Sequence, residues 1–260
     1  TSSLERLRAM GVVLVPPREA YGKHNIPDEA EIVAWVCRTL SRSPLAGKSI
    51  VVTGGPTPVK IDSVRLITNR FRGTLGALIA EELYLAGAES WLILGGGAYR
   101  PPAWLPHEIV PTYDEYRERV HEALEGCGAV AGIFSAAVAD YRPKRMLPGK
   151  TPSGGALERI ELEPTPKVIR EVRERCPHLH MVTFKYEEGL SHDQLMEIAR
   201  RRVAEGYEAV VANRGEEMGP EHEQVAWLVT DDLGPIRWGS KRAIALGLVE
   251  YLERVFSSSE

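Results

Sequence analysis

Apolar residues in this chain fall into two alternating kinds of run. Short, nearly continuous stretches occupy residues 48–53, 90–94, 129–134, 180–184 and 209–212. Longer stretches with apolar positions at helical spacing cover residues 76–86, 113–124, 166–176, 191–205 and 241–255. The first kind predicts strands covered on both faces, and the second predicts amphipathic helices. Residues 107–110 and 225–229 read as further strands, and residues 157–162 and the stretch after Asn213 as an antiparallel edge. The alternation predicts an α/β fold: a Rossmann-like, open, mostly parallel sheet with helices on both faces.

The first 45 residues read as a separate extension, with the main domain over 46–260. Leu4, Leu7 and Met10 suggest a short helix, and residues 12–15 form a small apolar strand closed by Pro16 and Pro17. Pro27 opens an acidic first turn at Asp28 and Glu29, a favourable helix start. That helix runs to about residue 40 with Ile32, Val33, Val36 and Leu40 on one side, and residues 41–47 read as a linker.

Composition narrows the function classes. The 260 residues carry a formal charge of -4, with no field suited to gripping a nucleic-acid backbone. Cys37, Cys127 and Cys176 are widely spaced and odd in number, which argues against a disulfide framework. No apolar run approaches the roughly 20 residues that cross a bilayer, and residues 1–8 do not resemble a secretion signal. A cytoplasmic protein with neither nucleic-acid nor membrane partners is therefore expected. The seven histidines form no ligand pair with a cysteine, and there is no Gly-x-Ser-x-Gly elbow.

In an open parallel sheet, ligands bind beyond the carboxyl ends of the strands. That rule points to loops at 53–76, 95–102, 135–150 and 184–189, and to a fifth beginning at Asn213. The first opens with Thr53-Gly54-Gly55-Pro56-Thr57, a turn in which backbone N–H groups can approach an anion. It lacks the Gly-x-Gly-x-x-Gly of dinucleotide sites and the Walker lysine. Asp62, Arg65, Asn69, Arg70, Arg72 and Gly73 then crowd ahead of a helix, a set suited to a phosphorylated or carboxylated ligand. The bland alternative is an Asp62–arginine pair with the remaining arginines in solvent. The third loop carries Ser135-Ala136-Ala137-Val138-Ala139-Asp140-Tyr141-Arg142-Pro143-Lys144, small residues against which a ligand can lie, followed by residues able to close over it.

These motifs, in this order, resemble the phosphopantothenate–cysteine ligases (phosphopantothenoylcysteine synthetases), the synthetase half of the bifunctional coenzyme A biosynthesis flavoproteins. The resemblance rests on residues 54–57, on Ile61-Asp62-Ser63-Val64-Arg65-Leu66-Ile67-Thr68-Asn69, on 136–144 and on 162–169. Val211-Ala212-Asn213 and the Ser240-Lys241 start of the last helix extend it, so that it spans roughly residues 46–255. Residues 10–17 and 22–35 look like the end of the decarboxylase half, whose flavin-binding body is missing. A decarboxylase domain upstream or separate is therefore an expected partner, and no flavin is expected in this chain.

The resemblance implies a ligase that joins 4'-phosphopantothenate to L-cysteine through an acyl-nucleotide, using a nucleoside triphosphate with Mg2+ carried on it and no direct protein ligand to the metal. It implies a homodimer. Asn69, Arg65 and Lys150 are the expected catalytic residues. Gly54, Gly55, Thr57, Ala136, Ala137, Asp140, Lys144, Phe184, Lys185 and Asn213 are expected at the nucleotide, and Arg70, Arg72 and Gly73 at the substrate phosphate. The strand end Thr183-Phe184-Lys185-Tyr186-Glu187 is closer to members that use ATP, whereas the leader resembles bacterial members that use CTP; together they imply CTP over ATP. Two departures stand out. The family's Ser-Ser-Gly-Lys/Arg-x-Gly is here Phe71-Arg72-Gly73-Thr74-Leu75-Gly76, and its lysine cluster is reduced to Gly149-Lys150-Thr151-Pro152-Ser153. A nucleotide-binding regulatory homologue and a Rossmann-type oxidoreductase are the rival readings. The second would need a glycine fingerprint that is missing around Gly54.

Overall fold

The buried apolar runs pair into a single twisted wall, and the amphipathic stretches cover it. In the computed structural model, which describes residues 2–20, 22–97, 99–126, 128–150, 160–219 and 223–257, the elements follow in this order. The extension forms α1 (Ser3–Ala9), β1 (Arg18–Ala20), β2 (Lys23–Asn25) and α2 (Glu29–Leu40). Next come β3 (Ser49–Gly54), β4 (Val59–Lys60), β5 (Leu66–Ile67), α3 (Thr74–Leu85), β6 (Glu89–Gly95), β7 (His107–Val110), α4 (Tyr113–Gly126) and β8 (Ala131–Phe134). The chain continues with β9 (Tyr141–Pro143), β10 (Leu162–Pro164), α5 (Val168–Arg175), β11 (His180–Glu187), α6 (His192–Ala204), β12 (Ala209–Arg214), β13 (Glu223–Thr230), β14 (Ile236–Ser240) and α7 (Lys241–Ser257).

The main sheet has the order β14-β13-β12-β11-β8-β3-β6-β7. All pairs from β12 to β7 are parallel, and β13 and β14 form the antiparallel edge expected after Asn213. Strand alternation divides the core. Ile50, Val52, Leu92, Leu94 and Val211 pack under α3 and α7, whereas Val51, Ile93 and Met181 pack under α4 and α5. Val210 and Ala212 meet Leu195, Met196 and Ala199 of α6 on that second face. From β3 the chain order runs to β6 and β7 on one side and to β8, β11 and β12 on the other. The reversal between β3 and β8 opens a crevice at their carboxyl ends, which is where open α/β sheets bind ligands.

Three expectations are corrected. Residues 12–15 form no strand: Val12 and Val13 are exposed, and among the described residues no segment pairs with them before Pro16 and Pro17. The extension instead pairs Arg18–Ala20 with Lys23–Asn25. The apolar side of α2 also points the other way. Ile32, Val33, Val36 and Leu40 are exposed, and the helix is seated through buried Ala34 and through Arg38, which donates to the carbonyl oxygens of Tyr84 and Ala88 and lies over the Tyr84 ring. Finally, Leu162–Pro164 joins Tyr141–Pro143 in a separate antiparallel ribbon rather than extending the main sheet. Residues 157–159 of that expected edge lie outside the described residues.

The helices of the second face are tied by charge as well as by apolar packing. Arg117 of α4 donates two hydrogen bonds of 2.8 Å to Glu171 of α5, and His121 Nε2 stands 3.1 Å from the same carboxylate. The Arg117 hydrogen bonds, above all, hold the Glu171 carboxyl at about 2, below the ordinary 4.5. A carboxylate depressed in the folded state contributes stability that is complete above pH 4.5 and lost as pH falls towards 2. Urea unfolding of the parent should therefore weaken more steeply between pH 4.5 and 2.5 than that of Glu171→Gln. Parallel pH profiles for the two proteins would remove this pair from the account of stability.

Candidate functional site

The crevice between β3 and β8 is built by backbone groups before any functional side chain is added. Ala137 N–H donates to the Gly55 carbonyl (2.9 Å) and Thr57 N–H to the Ala137 carbonyl (3.4 Å), so β3–β8 pairing continues past the ends of the strands. Hydroxyl groups reinforce this seam. Ser135 Oγ donates to the Thr53 carbonyl (2.6 Å), Thr57 Oγ1 accepts from Ala139 N–H (2.8 Å), and Tyr116 donates to Thr53 Oγ1 from below (3.2 Å).

Against this double loop lies the start of α3. Gly73 adopts φ 93°, a left-handed conformation that side chains disfavour, and caps the helix without a side-chain acceptor. Gly76 sits so close to β3 that a Cβ there would fall 2.8 Å from the Gly54 Cα. The loop after β6 is pressed in equally tightly, since a Cβ on Gly95 would fall 1.8 Å from the Pro56 carbonyl oxygen. The first N–H groups of α3, which have no partner within the helix, thus open onto the crevice.

The result is a cavity of about 900 Å³. Its floor is Gly55, residues 73–76 and residues 135–137; its far wall is Phe184 and Tyr186 of β11, Asn213 of β12, Gln224 of β13 and Lys241 of α7. Arg70, Phe71 and Arg72 complete one side, with Tyr99, Met218 and Gly219 at the margins. Three cationic side chains border this space, and among the described lining residues there is no carboxylate. Across the mouth, Phe71 meets Tyr186 edge-on at 5.5 Å between ring centroids. The Tyr186 hydroxyl donates to Glu188, whose carboxylate lies 3.8 Å from Arg70. Burial, chiefly, pushes the Tyr186 phenol above its ordinary range, so it stays a neutral donor at physiological pH. Such a space can hold an anion of several charges beside an aromatic or amide group.

Of the residues expected from sequence, Gly55, Arg70, Arg72, Gly73, Ala136, Ala137, Phe184 and Asn213 line this cavity. Asn69, Gly54 and Thr57 adjoin it: the Asn69 amide donates to the Ala137 carbonyl at 2.8 Å, which joins the asparagine–arginine loop to the alanine loop. The others are engaged elsewhere. Arg65 donates to the fully buried Asp62 carboxylate at 2.6 Å, and the same carboxylate accepts from the backbone N–H groups of Val64 and Arg65, so the pair braces the turn. Asp140 pairs with Lys167, Lys144 with Glu161, and Lys185 with Glu187, all outside the lining. Lys150 also lies outside it, beside a contact from Ser63 N–H to the Gly149 carbonyl.

Sequence reasoning missed Tyr186, Gln224 and Lys241. Strand alternation contains the signal for the first: with Phe184 facing the cavity, Lys185 turns away and Tyr186 returns. Gln224 and Lys241 reach the cavity through the antiparallel return of β13 and β14, a pairing that local sequence does not specify. Among the described residues, no three His, Cys, Asp or Glu side chains are grouped as a metal site, and no helix is long and apolar enough to cross a membrane. A smaller recess of about 450 Å³ lies at the opposite strand ends, bordered by Ser49, Glu89, Trp91 and Arg119.

The family model for the DNA/pantothenate metabolism flavoprotein C-terminal domain matches residues 45–255. The coenzyme A biosynthesis bifunctional protein CoaBC of Thermococcus kodakarensis is 36% identical over 97% of this chain, and its Bacillus subtilis counterpart is 30% identical over 78%. The chain spans 62% and 51% of those two proteins, less than two thirds of either. Among solved structures, the DNA/pantothenate metabolism flavoprotein from Streptococcus pneumoniae superposes with a TM-score of 0.71 at 27% identity, covering 81% of this chain and 100% of that one. The C-terminal domain of a CoaBC protein gives a TM-score of 0.68 at 26% identity, covering 84% and 100%.

The tight approach of the loops predicts a measurable cost. Gly95→Ala must push the Pro56 carbonyl away and should lose about 2 kcal/mol of unfolding free energy, the range of overpacked sites. Urea denaturation checks this, and an unchanged midpoint would mean that the two loops are not in contact.

Proposed function

The chain belongs to the DNA/pantothenate metabolism flavoprotein C-terminal domain family, and on that footing we propose that it is a phosphopantothenate–cysteine ligase of coenzyme A synthesis. A carboxylate is a poor electrophile at neutral pH and must first acquire a leaving group. In the proposed reaction the 4'-phosphopantothenate carboxylate oxygen attacks the α-phosphorus of a nucleoside triphosphate, and the bond to the β-phosphate breaks to release pyrophosphate. The cysteine amine then attacks the acyl carbon of the acyl-nucleotide. The C–N bond forms, the acyl–oxygen bond breaks, and nucleoside monophosphate and a proton leave. CTP is the proposed co-substrate over ATP.

The observation that carries this reading is the Asn69–Ala137 hydrogen bond, because it joins the loop bearing Arg70 and Arg72 to the loop bearing Ala136 and Ala137 at one cavity. Two anions must meet there, and the cavity answers with cations, amide dipoles and a helix N-terminus. Gly55, Gly73, Ala136 and Ala137 let the nucleotide lie against the backbone, while Phe184 and Asn213 face its base. Arg70 and Arg72 neutralise phosphate. Asn69 donates towards charge developing on the acyl group without adding a negative charge of its own. Arg65 acts through the Asp62 turn as a positioning residue. Magnesium would be carried on the triphosphate and would offset part of its charge; the hydroxyls of Thr74 and Ser135 would face its waters, while the cations answer the phosphate oxygens. Homodimerisation, a cytoplasmic location and a decarboxylase partner, upstream or separate, belong to the same proposal and rest on family resemblance.

Pyrophosphate release, followed with CTP and ATP side by side, tests the reading. Release should require phosphopantothenate and should be faster with CTP. A folded chain that binds nucleotide yet turns over neither would identify a regulatory homologue, a reading favoured by Phe71 standing where the family has serine. Asn69→Asp should lower single-turnover pyrophosphate release by about 100-fold or more, since it replaces a donor with a fixed negative charge beside the attacking carboxylate. Equal single-turnover rates would remove Asn69 from the chemistry.

A further inference from the structure

The apolar rows of the sheet turn polar where they reach the cavity. Along β12, Ala209 and Val211 are buried in the core beneath α3 and α7, and the next residue on that face is Asn213. The antiparallel β13 runs the other way: Leu228 and Ala226 belong to the same core, and Gln224 continues their row at the start of the strand. Both side chains line the cavity and both residues are deeply buried, Asn213 at 4% and Gln224 at 5% exposed. Neither side-chain amide has a hydrogen-bond partner among the described residues. Their backbones are nonetheless fixed. Asn213 pairs with Tyr186 across β12 and β11, Gln224 is bridged to Met218, and Gly219 N–H donates to the Glu223 carbonyl at 3.2 Å. The β13–β14 register shifts between Glu223 and Ala226, an irregularity of the kind that re-aims a side chain at a site.

An amide buried in this way gives up most of its contact with water and gains no protein partner in exchange, which is unfavourable for folding. The preceding positions of the same rows are filled by Ala, Val and Leu, which would close this end of the sheet without that penalty. The pair is also unlike the charged groups across the cavity. A phosphoryl oxygen only accepts, so it would satisfy the NH2 of an amide and leave the carbonyl oxygen turned towards a negative group. Arg70 and Arg72 answer that chemistry from the other side of the space. A side-chain amide holds a donor beside an acceptor, and its complement is a neutral, planar group holding an acceptor beside a donor. Phe184, on the adjoining strand, offers an apolar surface on which such a plane can lie.

We propose that Gln224 and Asn213 together read an amide-type edge of the ligand, a donor next to an acceptor, and so determine which neutral group the cavity accepts beside a phosphate. The pair rests on reading the cavity as the substrate site. Two groups of the proposed substrates carry that chemistry: the hydrogen-bonding edge of the nucleobase and the carboxamide of 4'-phosphopantothenate. The two sources separate by experiment.

Calorimetric titration of the 260-residue chain compares each substrate with a fragment that keeps its phosphate and lacks its amide-type group: CTP with tripolyphosphate, and 4'-phosphopantothenate with 4-phosphopantoate. Gln224→Met and Asn213→Leu roughly keep the volume of each side chain and remove its amide. Both should weaken the same substrate about fivefold or more, the scale of a lost neutral hydrogen bond, and leave the matching fragment within about twofold of the parent. Loss for CTP assigns the pair to the base, and loss for 4'-phosphopantothenate assigns it to the acid. Parent-like affinity of both variants for both substrates would overturn the proposal, as would equal loss for substrate and fragment, losses that fall on different substrates in the two variants, or a parent that binds neither substrate. In the unmutated chain, the side-chain NH2 resonances of Asn213 and Gln224 should shift when the recognised substrate saturates the site and stay in place with its fragment, a readout that does not depend on any variant folding. Resonances that respond alike to substrate and fragment would overturn the pair. Amide-dependent binding without pyrophosphate release would instead defeat the ligase reading and leave the pair standing; pyrophosphate release with parent-like binding by both variants would defeat the pair and leave the ligase standing.

Discussion

Everything at this site depends on a contact made without side chains. The start of α3 touches the end of β3 through Gly76 and Gly54, and the loop after β6 touches the next turn through Gly95 and Pro56. A single methyl group at Gly76 or Gly95 would push these segments apart. Because they touch, the first N–H groups of α3 face the end of the β3–β8 crevice. The hydrogen bonds from Ala137 to Gly55 and from Thr57 to Ala137 then hold the floor of that crevice as an extension of the sheet. The sheet supplies the position, and the glycines supply the closeness.

A second constraint follows from the first. A floor of backbone dipoles and small residues leaves charge to be delivered from elsewhere, and the cavity receives it from two parts of the chain distant in sequence. Arg70 and Arg72 come from the loop before α3, and Lys241 comes from the junction of the last strand and last helix. The acidic groups nearby are spent on bracing. Asp62 holds the turn through Arg65, and Glu188 lies between Tyr186 and Arg70 at the mouth. The phosphate-bearing substrates of the proposed ligase would meet a lining with three cations and, among its described residues, no carboxylate.

The sequence made the parallel core legible because its strands are buried on both faces and read as continuous apolar runs, as at residues 48–53 and 129–134. It also made the floor of the cavity legible, since Gly55, Gly73, Ala136 and Ala137 are small for a reason that is local to the chain. Direction was harder to read. The stripe at Ile32, Val33, Val36 and Leu40 has helical spacing, yet Arg38 and Ala34 decide which way α2 turns, through contacts with Tyr84 and Ala88 some fifty residues away. Charged residues were harder still. Asp140, Lys144 and Lys185 sit in motifs beside the cavity, but each has an ion-pair partner that spacing does not reveal. Lys241 was illegible for the opposite reason: only the antiparallel return of β13 and β14 carries it back to the crevice.

The central claim is that this crevice, and no other surface, takes the phosphate chain of a nucleotide. The most direct measurement is a crystal structure of the chain grown with CTP and magnesium. The account predicts the triphosphate against residues 73–76 and 135–137, with oxygens within hydrogen-bond distance of Arg72 or Lys241. A nucleotide seated instead in the recess between Ser49, Trp91 and Arg119 at the opposite strand ends would contradict it.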